Sequence, residues 1–120
     1  DVGRGTAYRH RWCFTWNKVR EMTGEEAALQ RYLIRTALAR GMYARKVVAV
    51  GRTGFPDVLL AFAGRIYLVE VKNPSGRGRV SAKQKSEHAH LKRAGVDVHV
   101  IANKGEVDDY IDDIIASADG

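Results

Sequence analysis

Three charged residues stand where the sequence otherwise reads as buried strand: Asp57, Glu70 and Lys72. The runs Val58 to Ala63 and Ile66 to Val71 are rich in β-branched, aromatic and leucine residues. Only Gly64-Arg65 separates them, which predicts a β-hairpin closed by a two-residue turn. With Ala63 opposite Ile66, Leu60 faces Val69, Leu59 faces Glu70 and Asp57 faces Lys72. Side chains alternate faces along a strand, so Asp57, Glu70 and Lys72 emerge on one side of the sheet. Opposed Cβ atoms lie about 5 Å apart and diagonal ones roughly 7–8 Å, close enough for the two carboxylates to converge on one cation. A lone Glu-x-Lys is an ordinary polar pair at a strand end. Here apolar residues fall on both faces of each run, predicting a hairpin covered on both sides, where a charge costs several kcal/mol unless it is paired or binds metal.

The elements that must position these groups follow from periodicity and caps. Thr23-Gly24-Glu25-Glu26 has the spacing of a capping box, and helical periodicity runs on to Arg40 with Gly41 as the stop. Glu26, Leu29, Leu33 and Ala37 fall on one stripe of that helix, which aims Glu26 along the apolar face toward the sheet. Lys46 to Val50 reads as a short strand before the Gly51 to Gly54 bend. Asn73 to Arg79 is a glycine-rich loop that carries Arg77 and Arg79 directly after Lys72, where a nucleic-acid backbone would pass. Ser81-Ala82-Lys83-Gln84 is a second capping box, opening a helix that ends at Gly95. Gln84, His88 and Leu91 share one face of it, with Lys83, Lys85, Lys92 and Arg93 largely elsewhere. On frequency alone, His88 reads as an ordinary helix histidine. Residues 96–101 alternate as a strand, and the order strand, helix, strand requires a parallel crossover beside the Glu70 strand. The expected class is α/β, with an α-β-β-β-α-β core and a mixed sheet. Residues 106–118 form an acidic amphipathic helix.

Composition narrows the setting. The 120 residues, 45% of them hydrophobic, support one modest core and hence a single domain at 23–120, preceded by a basic and aromatic extension at 1–22. No apolar run approaches the roughly 20 residues that span a bilayer, so the expectation is a soluble, intracellular protein. One cysteine, Cys13, excludes an intrachain disulfide and a cysteine-based zinc site. Six of the 14 acidic residues lie after residue 105, where there is no Lys or Arg, so residues 1–105 carry a net charge of +12. A body that basic suits a phosphate-bearing polymer, though charge alone does not identify one. In the extension, Arg4, Arg9, Arg11, Lys18 and Arg20 surround Tyr8, Trp12, Phe14 and Trp16. Such a mixture either contacts phosphates and stacks on bases or packs its aromatics on protein.

Asp57, twelve intervening residues and Glu70-Val71-Lys72 resemble the PD-(D/E)XK nuclease signature, with Pro56-Asp57 supplying its first element. Five blocks extend the likeness: the helix opening at Glu26, then Arg52 to Asp57, Val69 to Lys72, Val80 to Gln84, and Leu91 to Val96. In order and spacing over roughly residues 24–113 they resemble the virus-type replication-repair nuclease (VRR-NUC) domain. The loop at 73–79 looks longer than the family's usual connection. The resemblance implies a restriction-endonuclease-like core and a metal-dependent endodeoxyribonuclease acting on branched DNA such as four-way Holliday junctions, usually as a homodimer. Asp57, Glu70 and the Val71 carbonyl would hold Mg²⁺ or Mn²⁺, whose preference for hard oxygen donors they match. Lys72 would orient the attacking water, Glu26 would complete the site, and Gln84 would support it. Arg52, Arg77, Arg79, Lys83 and Lys85 are the expected DNA contacts. The alternatives are a catalytically inert DNA-binding module and a monomeric nickase of flaps or duplexes.

Overall fold

A computed structural model describes residues 24–49, 51, 54–73 and 80–119. In chain order these form α1 (Gly24–Ala39), β1 (Tyr43–Lys46), β2 (Val58–Phe62), β3 (Arg65–Val71), α2 (Ala82–Arg93), β4 (Val98–Ile101) and α3 (Lys104–Asp119). The strands lie in the order β1-β2-β3-β4. The first two pairings are antiparallel, and β3 with β4 is parallel. The expected mixed sheet and crossover are both present. The extension 1–22, Thr23 with its capping box, Arg52, Arg77 and Arg79 lie outside the described residues.

One face of the sheet carries the core. Ala44, Val58, Leu60, Val69, Val71 and Ile101 pack against Leu29, Leu33 and Ala37 of α1 and Val107, Ile111 and Ile114 of α3. The α3 helix is therefore a structural flank, its Ile111 and Ile114 0% and 3% exposed inside this chain's own core. Two further contacts tie α3 to α1, from the Tyr32 hydroxyl to Asp108 at 2.8 Å and from Arg40 to Asp112 at 2.9 Å. The helix begins two residues earlier than its periodicity predicts, because Asn103 caps it by accepting from the Glu106 N–H at 2.8 Å while Glu106 reaches back to the Ala102 N–H at 2.7 Å.

The opposite face is covered less than expected. Among the described residues only α2 lies over it, and α2 has no fully buried residue. Ile66 at 65% and Val100 at 38% remain exposed there. Leu91 is the only large aliphatic side chain on this mostly polar helix, too little to cover a whole sheet face.

Two strand expectations need correction. The first strand lies at 43–46 rather than 46–50, because Ala44 and Met42 are the residues that enter the core while Val48 is 78% exposed. The hairpin turn is Ala63-Gly64 rather than Gly64-Arg65, so Phe62 pairs with Arg65, Leu60 with Tyr67 and Val58 with Val69. Both turn residues have positive φ, 51° at Ala63 and 82° at Gly64. This is the backbone a two-residue turn needs to match strand twist, and at 64–65 it would have fallen on Arg65. A slip of two residues preserves which face each side chain occupies. Continued by one pair beyond Val58–Val69, the observed register sets Asp57 opposite Glu70, not opposite Lys72.

Candidate active site

Glu70 sits in the middle of the sheet with 0% exposure, and Lys72, one residue past the end of β3, is 7% exposed. Strand pairing fixes their backbone: Glu70 lies beside Val100, and the Lys72 N–H donates to the Ile101 carbonyl at 2.8 Å. Asp57 is held at the mouth of β2, where the Val71 N–H donates to its Oδ2 at 2.9 Å and its own carbonyl accepts from the Val47 N–H at 2.8 Å. The three charged residues are thus brought together by adjacent strands, as their spacing predicts.

Gln84 joins them to α2. Its position as third residue of the helix makes it half of the capping box, with its N–H donating to Ser81 Oγ at 3.2 Å and its Oε1 accepting from the Ser81 N–H at 2.9 Å. The same Oε1 accepts from Lys72 Nζ at 2.7 Å, and Nε2 donates to Glu70 Oε2 at 2.9 Å. Cap and site partner are therefore one role. The positive end of the α2 macrodipole points at the buried carboxylate, which favours its charged form. Gly54 sets the distance of this helix from the sheet: a Cβ there would fall 2.6 Å from the Lys83 carbonyl oxygen and 2.9 Å from the Gln84 nitrogen. Its φ of 90° also suits glycine alone.

His88, one turn further along α2, places Nε2 3.4 Å from Glu70 Oε1. Burial first, then the charge of Lys72, lowers its pKa below the usual 6.5, so the ring is neutral near pH 7. Frequency reasoning passes over it; the Gln84-x-x-x-His88 spacing was the signal that could have found it. A second buried polar contact was also missed. Gln30, 1% exposed on α1, accepts from Lys46 Nζ at 2.9 Å. It lies one turn after Glu26 on the same helix.

Electrostatics set Glu70 apart. Burial, then hydrogen bonding and charge from Asp57, push its pKa from 4.5 to about 8, against the opposing pull of Lys72 at 3.6 Å. The two carboxylates together exceed the positive charge beside them. That is the condition a divalent cation relieves, and their hard oxygens, with the Val71 carbonyl, are the donors Mg²⁺ and Mn²⁺ prefer. Glu26 is half-buried in the first turn of α1 and makes no hydrogen bond or ion pair with a described residue. No group of three or more His, Cys, Asp or Glu residues able to hold a metal ion occurs among the described residues. Lys83 and Lys85 are exposed on α2.

A mixed sheet with an acidic pair, a buried lysine and a capping glutamine at one strand end defines a nuclease-type domain. A family model described as the VRR-NUC domain matches residues 7–104, and the chain belongs to that family. The match reaches into the basic and aromatic extension and stops as α3 begins. A solved structure described as a VRR_NUC domain is 30% identical, with a TM-score of 0.67, over 75% of this chain and 97% of that one. No curated protein matches the chain. Divalent metals are general in this family, and nucleic acid is the partner that a nuclease domain implies. No helix among the described residues is long and apolar enough to cross a membrane.

Proposed function

We propose that the protein is a divalent-metal-dependent DNA endonuclease that hydrolyses phosphodiester bonds in branched DNA, including four-way junctions, and acts as a homodimer. The observation that carries the reading is the buried Glu70 carboxyl facing Asp57, its pKa raised to about 8 by burial and by its carboxylate neighbour. A bound Mg²⁺ or Mn²⁺ would supply Lewis acidity and a more acidic water. Asp57 and Glu70, with the Val71 carbonyl, would hold the ion, and Glu26 would approach it directly or through a water. Lys72 delivers a positive charge fixed by Gln84 and is placed to orient the nucleophilic water and offset charge on the transition state. Gln84 keeps the lysine and Glu70 in register, and His88, neutral, adds a hydrogen bond to Glu70 without competing for its charge. Lys83 and Lys85, with Arg52, Arg77 and Arg79, would contact the DNA backbone.

A cleavage assay with Mn²⁺ or EDTA on flap, splayed, duplex and four-way substrates tests this reading. Metal-dependent incision that peaks on branched substrates is expected, abolished by Asp57→Ala, Glu70→Ala or Lys72→Ala with DNA binding retained. Cleavage of none would leave a binding module that keeps the fold. Full activity in any one variant removes the assigned chemistry. A monomeric mass by light scattering at micromolar concentration would replace paired incision by independent nicking.

A further inference from the structure

Three polar side chains are buried among the described residues, and two of them, Glu70 and Lys72, belong to the carboxylate site. The third is Gln30, 1% exposed among the buried residues of α1 with Leu29, Leu33 and Ile34. A leucine at that position would add to the core with no partner, whereas a buried amide costs free energy unless it is hydrogen-bonded. The Gln30 Oε1 takes its bond from Lys46 Nζ at 2.9 Å. What the amide accomplishes is to pin an ammonium group that a flexible lysine stem would otherwise carry out into solvent.

The pinned charge has no counter-ion. Lys46 is half-buried, and no described acid forms an ion pair with it: neither Glu26, one turn before Gln30 on α1, nor Asp57, next to its strand partner Val58. An ammonium has three N–H donors, and Gln30 is the only described partner for any of them. The position is equally specific. Lys46 ends β1 opposite the start of β2, and the next residue, Val47, donates its N–H to the Asp57 carbonyl at 2.8 Å. Lys46 therefore stands at the same end of the sheet as Asp57, Glu70 and Lys72. Ala44, two residues earlier, lies in the core, so Lys46 occupies the α1 face, while Lys72 bonds to Gln84 of α2 on the other. Two strand spacings and three residue rises separate the two lysine Cα atoms by roughly 14 Å, about four steps along one strand of a duplex.

We propose that Lys46, held by Gln30, is a substrate-binding residue that takes a DNA phosphate a few nucleotides from the bond addressed by Asp57 and Glu70. This inference rests on the nuclease reading and adds to it a contact on the side of the sheet end away from α2. The identity of residue 30 fits the role. An amide fixes the ammonium and leaves its charge for an incoming phosphate; a glutamate in the same place would fix it equally well and neutralise it.

Fluorescence anisotropy of the full chain on a labelled four-way junction, in EDTA so that nothing is cut, gives the affinity at each salt concentration and the slope of log affinity against log salt. Lys46→Met should bind more weakly and lower that slope by about 0.9, the contribution of one phosphate contact, while Lys46→Arg, which keeps the charge, should retain it. Gln30→Glu is the discriminating variant. It has the shape of glutamine and still accepts from Lys46, so a purely structural contact predicts natural binding, whereas a phosphate contact predicts a slope lowered as in Lys46→Met, in a protein that still melts cooperatively. An unchanged slope in either Lys46→Met or Gln30→Glu overturns the proposal and leaves the nuclease reading standing. A natural chain that binds no DNA overturns both.

Discussion

Glu70 is where residue-scale physics is most exposed to measurement. A carboxyl whose folded pKa is raised from 4.5 to about 8 binds its proton more tightly in the native state than in the unfolded chain across that interval. Native protein then holds the extra proton, so without metal this group's contribution to stability falls as pH rises from about 4.5 to 8. Thermal melts of metal-free protein should show this decline, and Glu70→Gln should flatten it while abolishing cleavage; an unchanged slope in the variant would sink the assignment. Because a metal ion needs the carboxylate form, the gain in Tm from Mn²⁺ should grow over the same interval. Gln84→Ala removes a cap and strips Glu70 and Lys72 of a shared partner, which should cost about 1–3 kcal/mol by denaturant titration and lower the cleavage rate. Gln84→Glu keeps the cap and the contact to Lys72 but sets a third carboxyl against Glu70 in place of an N–H donor, so without metal it should fail to restore the lost stability. The acidic pair and Lys72 were legible in sequence because charged residues interrupting apolar strands demand compensation. His88 was not, because a helix histidine gives no sign of its partner until the sheet brings Glu70 beneath it. Gln30 and Lys46 escaped for the same reason, since nothing in either segment announces a contact across sixteen residues.

At the scale of elements, helices were read better than strands. Both capping-box and glycine-stop signals are local, and α2 obeys them to the residue: the Gly95 N–H donates to Lys92 and the Val96 N–H to Leu91, each at 2.9 Å. Strand register is a tertiary matter, decided here by which residues tolerate positive φ. Ala63 has that backbone at φ 51° without being glycine or asparagine, and it is exposed. Ala63→Asn or Ala63→Gly should therefore stabilise the hairpin by about 1 kcal/mol in equilibrium unfolding with no loss of contact; destabilisation would mean the turn is formed otherwise. Gly54→Ala works in the opposite direction. Its methyl group collides with the backbone of Lys83 and Gln84, so α2 must shift and the Lys72–Gln84–Glu70 linkage with it. Cleavage should fall at least tenfold in a protein that still melts cooperatively, and near-natural activity would show that helix placement is not limiting.

For the whole molecule, the resemblance outran what periodicity alone could deliver, since the order of five blocks identified the family while the coverage of the sheet had to be seen. Among the described residues one face is closed by α1 and α3, and the other only by a helix with no fully buried residue. Lys83 and Lys85 stand exposed on that second helix, and each that meets a phosphate should contribute roughly 0.9 to the slope of log affinity against log salt. Lys83→Ala/Lys85→Ala should lower the slope by nearly two, measured by fluorescence anisotropy on a four-way junction, and an unaltered slope would remove α2 from the DNA interface. The two helix layers also differ in sign: α2 carries Lys83, Lys85, Lys92 and Arg93, whereas α3, across the sheet, displays Asp109, Asp112 and Asp113. Among the described residues, a domain with one positive and one negative helix layer behaves as a compass needle near a polyanion. It turns before it touches, so encounters begin with Glu70 and Lys72 facing the strand, and added salt slows capture by loosening that alignment as well as by weakening attraction.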